Sequence, residues 1–71
     1  MNRTSVQSSH LSSVGYDFDR HILEIEFRGG EVYQYFGVPE WEYNGLMAAS
    51  SHGQYLDRQI KKGPYRYVQV G

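Results

Sequence analysis

Residues 21–36 read HILEIEFRGGEVYQYF, and the fold follows from how this stretch pairs with itself. Leu23, Ile25 and Phe27 alternate with Glu24, Glu26 and Arg28. A period of two marks a strand with one buried face. Gly29-Gly30 supplies the positive φ angles of a tight hairpin. Loop length then decides which side chains of the second strand are buried. A two-residue loop pairs Ile25 with Gln34 and puts an amide in the middle of the core face. A three-residue loop, Arg28 to Gly30 with Gly30 left-handed, pairs Ile25 with Tyr33 and Leu23 with Tyr35. Burying an unpaired amide costs roughly 1–3 kcal/mol. A tyrosine buries its ring and keeps its hydroxyl at the rim. The three-residue loop is therefore preferred, and a slip of one residue would turn every side chain over.

Working outward, Val14, Tyr16 and Phe18 alternate with Gly15 and Asp17 and read as the strand before the hairpin. Turns of two or four residues around Asp19-Arg20 both pair Tyr16 with Leu23. Ser8 to Ser13 reads as a turn. Val6 heads a short edge strand, and residues 1–5 are a polar lead-in read as flexible. After Phe36, Gly37-Val38-Pro39 ends the sheet, and Pro39 suits the first position of a helix. Glu40 and Glu42 place negative charge at the positive end of that helix. Tyr43, Leu46 and Met47 form its buried stripe. Gly45 weakens the helix by about 1 kcal/mol relative to Ala and lets it approach the sheet. Ser51 to Gln54 fits a capping box opening a second helix, with Leu56 and Ile60 inward and Asp57–Lys61 as an i,i+4 pair. Gly63-Pro64 ends it. Tyr65 to Val70 is a last strand. The expected core is Tyr16, Leu23, Ile25, Phe27, Tyr33, Tyr35, Val38, Tyr43, Leu46, Met47, Leu56 and Ile60. The fold class is α+β: a small antiparallel sheet of three to five strands with two short helices on one face, as a single domain over residues 1–71.

The 71 residues contain no cysteine, so disulfides and thiolate metal sites are excluded. A chain this short buries only about 60% of its unfolded surface, which leaves its stability margin thin. No run is apolar enough to span a membrane and no signal peptide is evident, so a cytoplasmic protein is expected. The net charge of −1 is no nucleic-acid signature over the whole chain. Its distribution is uneven. Residues 17–42 hold seven acids and two bases, while residues 57–71 hold Arg58, Lys61, Lys62 and Arg66 against Asp57 alone.

The ordered series Val14-Gly15-Tyr16-Asp17, Leu23-x-Ile25-x-Phe27, Tyr33-x-Tyr35, Val38-Pro39, Tyr43, Leu46, Ala49-x-Ser51-x-Gly53 and Ile60-Lys61 resembles the KTSC domain. That family is named after the C-terminal extension of some lysyl-tRNA synthetases and also occurs as stand-alone bacterial and phage proteins. The resemblance runs from about Val6 to Val70. It implies an α+β domain without an established activity, and its fusion partner suggests RNA binding by association. It marks Tyr33, Tyr35, Ser51 and Gly53 as structural motif residues. Two positions depart from the pattern: Leu56-Asp57 stands where an aromatic and Asn are expected, and Glu42 where an aliphatic is usual.

Candidate chemistry is sparse. Ser51, His52 and an aspartate allow a hydrolase on paper, but neighbours at a helix start point apart, and Ser51 reads better as an N-cap and His52 as a solvated first-turn residue. His10, His21 and His52 lack zinc spacing, so no metal or cofactor is expected. Glu24 and Glu26 read as a solvated strand face. Tyr33 and Tyr35 are read as core rather than as a base-stacking platform, because two carboxylates share their sheet. Trp41 lies off the helix stripe, and is either a contact anchor or a ring folded over Gly37-Val38. Arg58, Lys61, Lys62 and Arg66, interleaved with Tyr65 and Tyr67, are either a solvated helix end or a patch for single-stranded RNA. The expected function is non-catalytic binding: a protein-interaction adaptor first, an RNA-binding module second, a hydrolase third.

Overall fold

The computed structural model describes residues 1–71. One antiparallel sheet runs in chain order through β1 (Thr4–Ser5), β2 (Leu11–Asp17), β3 (Ile22–Phe27), β4 (Val32–Phe36) and β5 (Arg66–Gln69). Between β4 and β5 lie α1 (Glu40–Ala48) and α2 (His52–Tyr55), and α2 continues directly into a π-helical segment, Leu56–Lys61. The class is α+β, as the sequence implies.

The hairpin uses the three-residue loop. Leu23 pairs with Tyr35 and Ile25 with Tyr33. The Phe27 N–H donates to the Glu31 carbonyl at 2.8 Å, and Gly30 takes φ +98°, a conformation open to glycine. Gln34 therefore lies on the opposite face, where its amide donates to Glu24 at 2.7 Å. On the other side Tyr16 pairs with Leu23, across a four-residue turn closed by His21 at φ +57°.

Two apolar residues join the core from outside the expected set, Leu11 and Val14. β2 begins at Leu11, inside the stretch read as a turn. Its register shifts between Leu11 and Ser13, so a bulge brings Leu11 and Val14, three apart, onto one face. A strict period of two hides that. Of the expected core, Phe27, Tyr33, Tyr43 and Met47 pack against the buried cluster and the rest lie within it.

The back of the sheet is not the solvated face expected for Glu24 and Glu26. Glu24 is buried. Arg3 donates to Glu24 at 2.6 Å and to Ser13 at 3.0 Å, and Ser13 donates to Glu26 at 2.8 Å. Gly15 makes this possible, because a Cβ there would collide with the Asn2 carbonyl. The N-terminal segment thus lies on the sheet and supplies the cation that Glu24 needs.

Glu42 also departs from its expected place at an open helix start. It is 3% exposed. Its two oxygens accept hydrogen bonds from the Tyr55 hydroxyl at 2.6 Å and the Tyr65 hydroxyl at 3.0 Å. This clamp joins α1, α2 and the approach to β5. Gly45 serves the clamp rather than the sheet, since a Cβ there would collide with the Tyr55 hydroxyl. Pro39 precedes α1 as its cap instead of opening it.

These environments set the response to pH. Burial pushes the Tyr35 hydroxyl up to about 12, and the neighbouring Tyr33 and Tyr67 add to the shift. Burial, then the hydrogen bond to Glu42 and its charge, push Tyr55 up to about 12. An unfolded chain releases these protons near pH 10 (about the ordinary tyrosine value), so the stability they carry is whole below that and is lost as pH rises from about 10 to 12. On the acid side, burial alone would raise the Glu24 carboxyl, but hydrogen bonds from Gln34 and Arg3 and the charge of Arg3 hold it below the usual range. Its contribution is lost as pH falls through that depressed value. Melting temperatures recorded from about pH 8 to 12 should stay level and then drop over the last two units. A level profile through about pH 11.5 would contradict the burial of Tyr35 and Tyr55.

Candidate binding groove

The C-terminal helical stretch and the tip of the β3–β4 hairpin enclose a groove of about 970 Å³. Leu56 and Ile60 anchor the π-helical segment in the core. Asp57, Arg58 and Lys61 of that segment line one wall. In a π-helix residues i and i+5 come together. Asp57 accordingly pairs with Lys62 at 3.8 Å, in place of the expected i,i+4 partner Lys61. Lys61 is released toward the groove, where its Nζ lies 5.2 Å from the centre of the Phe27 ring.

The other wall is aromatic. Phe27 and Tyr33 meet edge to face at 5.6 Å. Tyr67 of β5 pairs with Tyr35, and its ring lies 5.9 Å from Tyr33 and 5.7 Å from Tyr35. Tyr35 is buried, whereas Tyr67 is 60% exposed. Arg28 from the hairpin loop and His10 from the loop before β2 complete the rim, with Glu31 at the hairpin tip.

Ser51 and Gly53 line the same groove from the start of α2. Ser51 is the N-cap: its Oγ accepts from the Gln54 N–H at 3.3 Å. His52 is not solvated as expected. Its Nδ1 donates to the Leu46 carbonyl at 2.8 Å, satisfying the last turn of α1. A carbonyl only accepts, so Nδ1 carries the proton. Each side chain thus serves a helix end, and the ring is directed to Leu46 rather than to the Ser51 hydroxyl. A nucleophile and its base need the opposite arrangement.

The structure therefore brings Arg58, Lys61, Tyr33, Tyr35, Ser51 and Gly53 together and leaves out three residues read as binding candidates. Lys62 does not line the groove and is engaged with Asp57, which does. Arg66 pairs with Phe36, on the sheet face opposite Tyr67. Trp41 is 67% exposed on α1, so its ring is not folded into the Gly37-Val38 turn. Neither Arg28 nor Tyr67 was readable as a groove residue from spacing: Tyr67 arrives by the pairing of β5 with β4, and Arg28 sits in the hairpin loop, where its N–H donates to the His10 carbonyl at 2.9 Å.

A five-stranded meander covered by α1 and by the continuous stretch from α2 through the π-helical segment, with an aromatic groove under its C-terminal half, defines a small α+β domain. A family model for the KTSC domain matches residues 7–67, and the chain belongs to that family. A crystal structure of a KTSC domain protein from Yersinia pestis superposes with a TM-score of 0.91 at 44% identity, covering 99% of this chain and 97% of the other. A protein of Stutzerimonas stutzeri, described as uncharacterized, is 40% identical over 70 residues and is covered to 99%, as is this chain. A lysine–tRNA ligase of Trichormus variabilis is 36% identical over 64 residues, which are 90% of this chain and 11% of the ligase. No helix is long and apolar enough to cross a membrane.

Proposed function

We propose that this domain is a non-catalytic RNA-binding module that takes a single strand in the groove. The observation that supports it is the meeting of Tyr33 and Tyr67 with Arg58 and Lys61 in one groove. Aromatic faces stack bases and cations track phosphates, and the two together suit an unpaired strand. The composition favoured a protein adaptor because the chain is acidic overall. That objection weakens once the acids are placed, with Glu31 at the hairpin tip the one acid that stays on the groove rim without an ion-pair partner. Gln34, the partner of Glu24, lies on the face opposite Tyr33 and Tyr35, so the Glu24–Glu26–Arg3 network lies behind the sheet. Glu42 is enclosed by two tyrosines. Asp57, the acid on the helical wall, has Lys62 beside it. The domain's occurrence within a lysine–tRNA ligase, an enzyme named for an RNA substrate, agrees with the reading by association.

Anisotropy of a labelled single-stranded RNA, titrated with salt, tests it. Each phosphate contact on a single strand contributes about −0.7 to the slope of log affinity against log salt. Arg58→Gln with Lys61→Gln should flatten the slope by about 1.4. Tyr67→Ala should weaken binding by about 1–3 kcal/mol and leave the slope alone. Lys62→Gln with Arg66→Gln should change the slope far less. No binding at low salt, or one slope for all variants, would remove the proposal.

A further inference from the structure

A second surface lies at the opposite end of β3 from the groove. Tyr43 of α1 stacks on Tyr16 of β2 at 4.9 Å with the rings 11° from parallel. Phe18, in the β2–β3 turn, stands edge-on to Tyr16 at 4.9 Å and to Tyr43 at 5.8 Å. The turn and the start of α1 are tied together by two hydrogen bonds: Tyr16 hydroxyl to Val38 carbonyl, and Val38 N–H to His21 carbonyl. Phe18 rests its ring on Tyr16 and Tyr43 and yet stays 55% exposed, and Trp41 in the first turn of α1 is 67% exposed. Two large apolar rings at one end of a domain of this size are not needed by its core.

The charge at this end is negative. Asp17 and Glu40 flank the aromatic cluster closely enough that both act on the Tyr16 hydroxyl, adding to the effect of its burial. Asp19 follows Phe18 in the turn, and Arg20 is the one fixed cation there. A nucleic acid would be repelled. An apolar helix would strip water from carboxylates without replacing it. A guanidinium meets both demands, because its flat face stacks on aromatic rings while its edge pairs with carboxylates in a fork. We propose that this end docks an extended arginine-rich segment of a protein partner, with guanidinium groups lying on Phe18 and Trp41, pairing in a fork with Glu40 and singly with Asp17 Oδ2, since Asp17 Oδ1 already accepts the Asp19 and Arg20 N–H groups at 3.0 and 3.1 Å. The surface is separate from the groove and does not depend on what the groove binds.

The probe is a fluorescein-labelled hexa-arginine peptide, compared with hexa-lysine, in anisotropy titrations of the full chain at low salt. Hexa-arginine should bind saturably and several-fold more tightly than hexa-lysine, since only the guanidinium stacks and forks. Phe18→Ala and Trp41→Ala should each weaken it by about two- to fivefold, the effect of a cation–aromatic contact at an exposed site. Glu40→Gln should make the affinity less sensitive to salt. Trp41 takes part in no ring–ring contact, so the melt of Trp41→Ala should follow the parent, whereas Phe18→Ala gives up its edge contacts with Tyr16 and Tyr43 and should melt a few degrees lower while staying folded at the titration temperature. Equal affinity for the two peptides, or full affinity in both ring variants, would overturn the proposal.

Discussion

Replacing Tyr55 and Tyr65 together by phenylalanine is expected to unfold the domain or bring it to the edge of unfolding. Each hydroxyl supplies one of the two hydrogen bonds to the Glu42 carboxylate, which is 3% exposed and has no cation partner among the ion pairs. Losing one donor from a buried charged acceptor costs about 1–3 kcal/mol. Losing both leaves an uncompensated buried charge, for which about 3–5 kcal/mol is typical. The margin of so short a chain is of comparable size. The same argument gives a rescue. Adding Glu42→Leu to the double variant removes the charge along with its partners, and replacing a whole buried network by apolar groups is close to neutral. Urea unfolding followed by circular dichroism should therefore show a large loss in the double variant and most of it recovered in the triple. A double variant within about 1 kcal/mol of the parent would show that Glu42 is not held as described.

Tyr35→Ala should be nearly as damaging, and Tyr33→Ala should not. Both belong to the Tyr-x-Tyr centre of the hairpin and face the same side of the sheet. Tyr35 is 3% exposed, between Leu23 and Tyr67. Its truncation falls in the range of about 3–5 kcal/mol for buried aromatics. Tyr33 is half-buried on the groove wall and should cost on the order of 1 kcal/mol. Equal losses for the two would mean that the groove wall is packed as core, and would take Tyr33 away from any ligand.

These two tyrosines show what a sequence makes legible. The hairpin register followed from one local comparison, a buried glutamine amide against a buried tyrosine ring, and the observed pairs match it. Tyr16 opposite Leu23 was equally local. Features that need a distant partner were hidden. Glu24 looks solvated until Arg3 is laid across Gly15. Glu42 looks like a charge for the helix dipole until Tyr55 and Tyr65 arrive from two later elements. The departure from an aliphatic residue at that position was the signal, but its partners were not readable from spacing. Leu11 was lost to a bulge, and the Asp57–Lys62 contact to a π-helical turn. The groove is of the same kind. Lys61 and Arg58 were visible as basic residues, but their company with Tyr33 and Tyr67 exists only once β5 pairs with β4.

The central claim is that this groove receives single-stranded RNA, and a heteronuclear NMR titration tests it residue by residue. On adding a short unstructured RNA at low salt, resonances of Tyr33, Tyr67, Arg58 and Lys61 should shift together and saturate, while the Trp41 indole N–H and Arg66 stay in place. Shifts gathered at Trp41 or Arg66 with the groove resonances still, or no shift at all, would contradict the account.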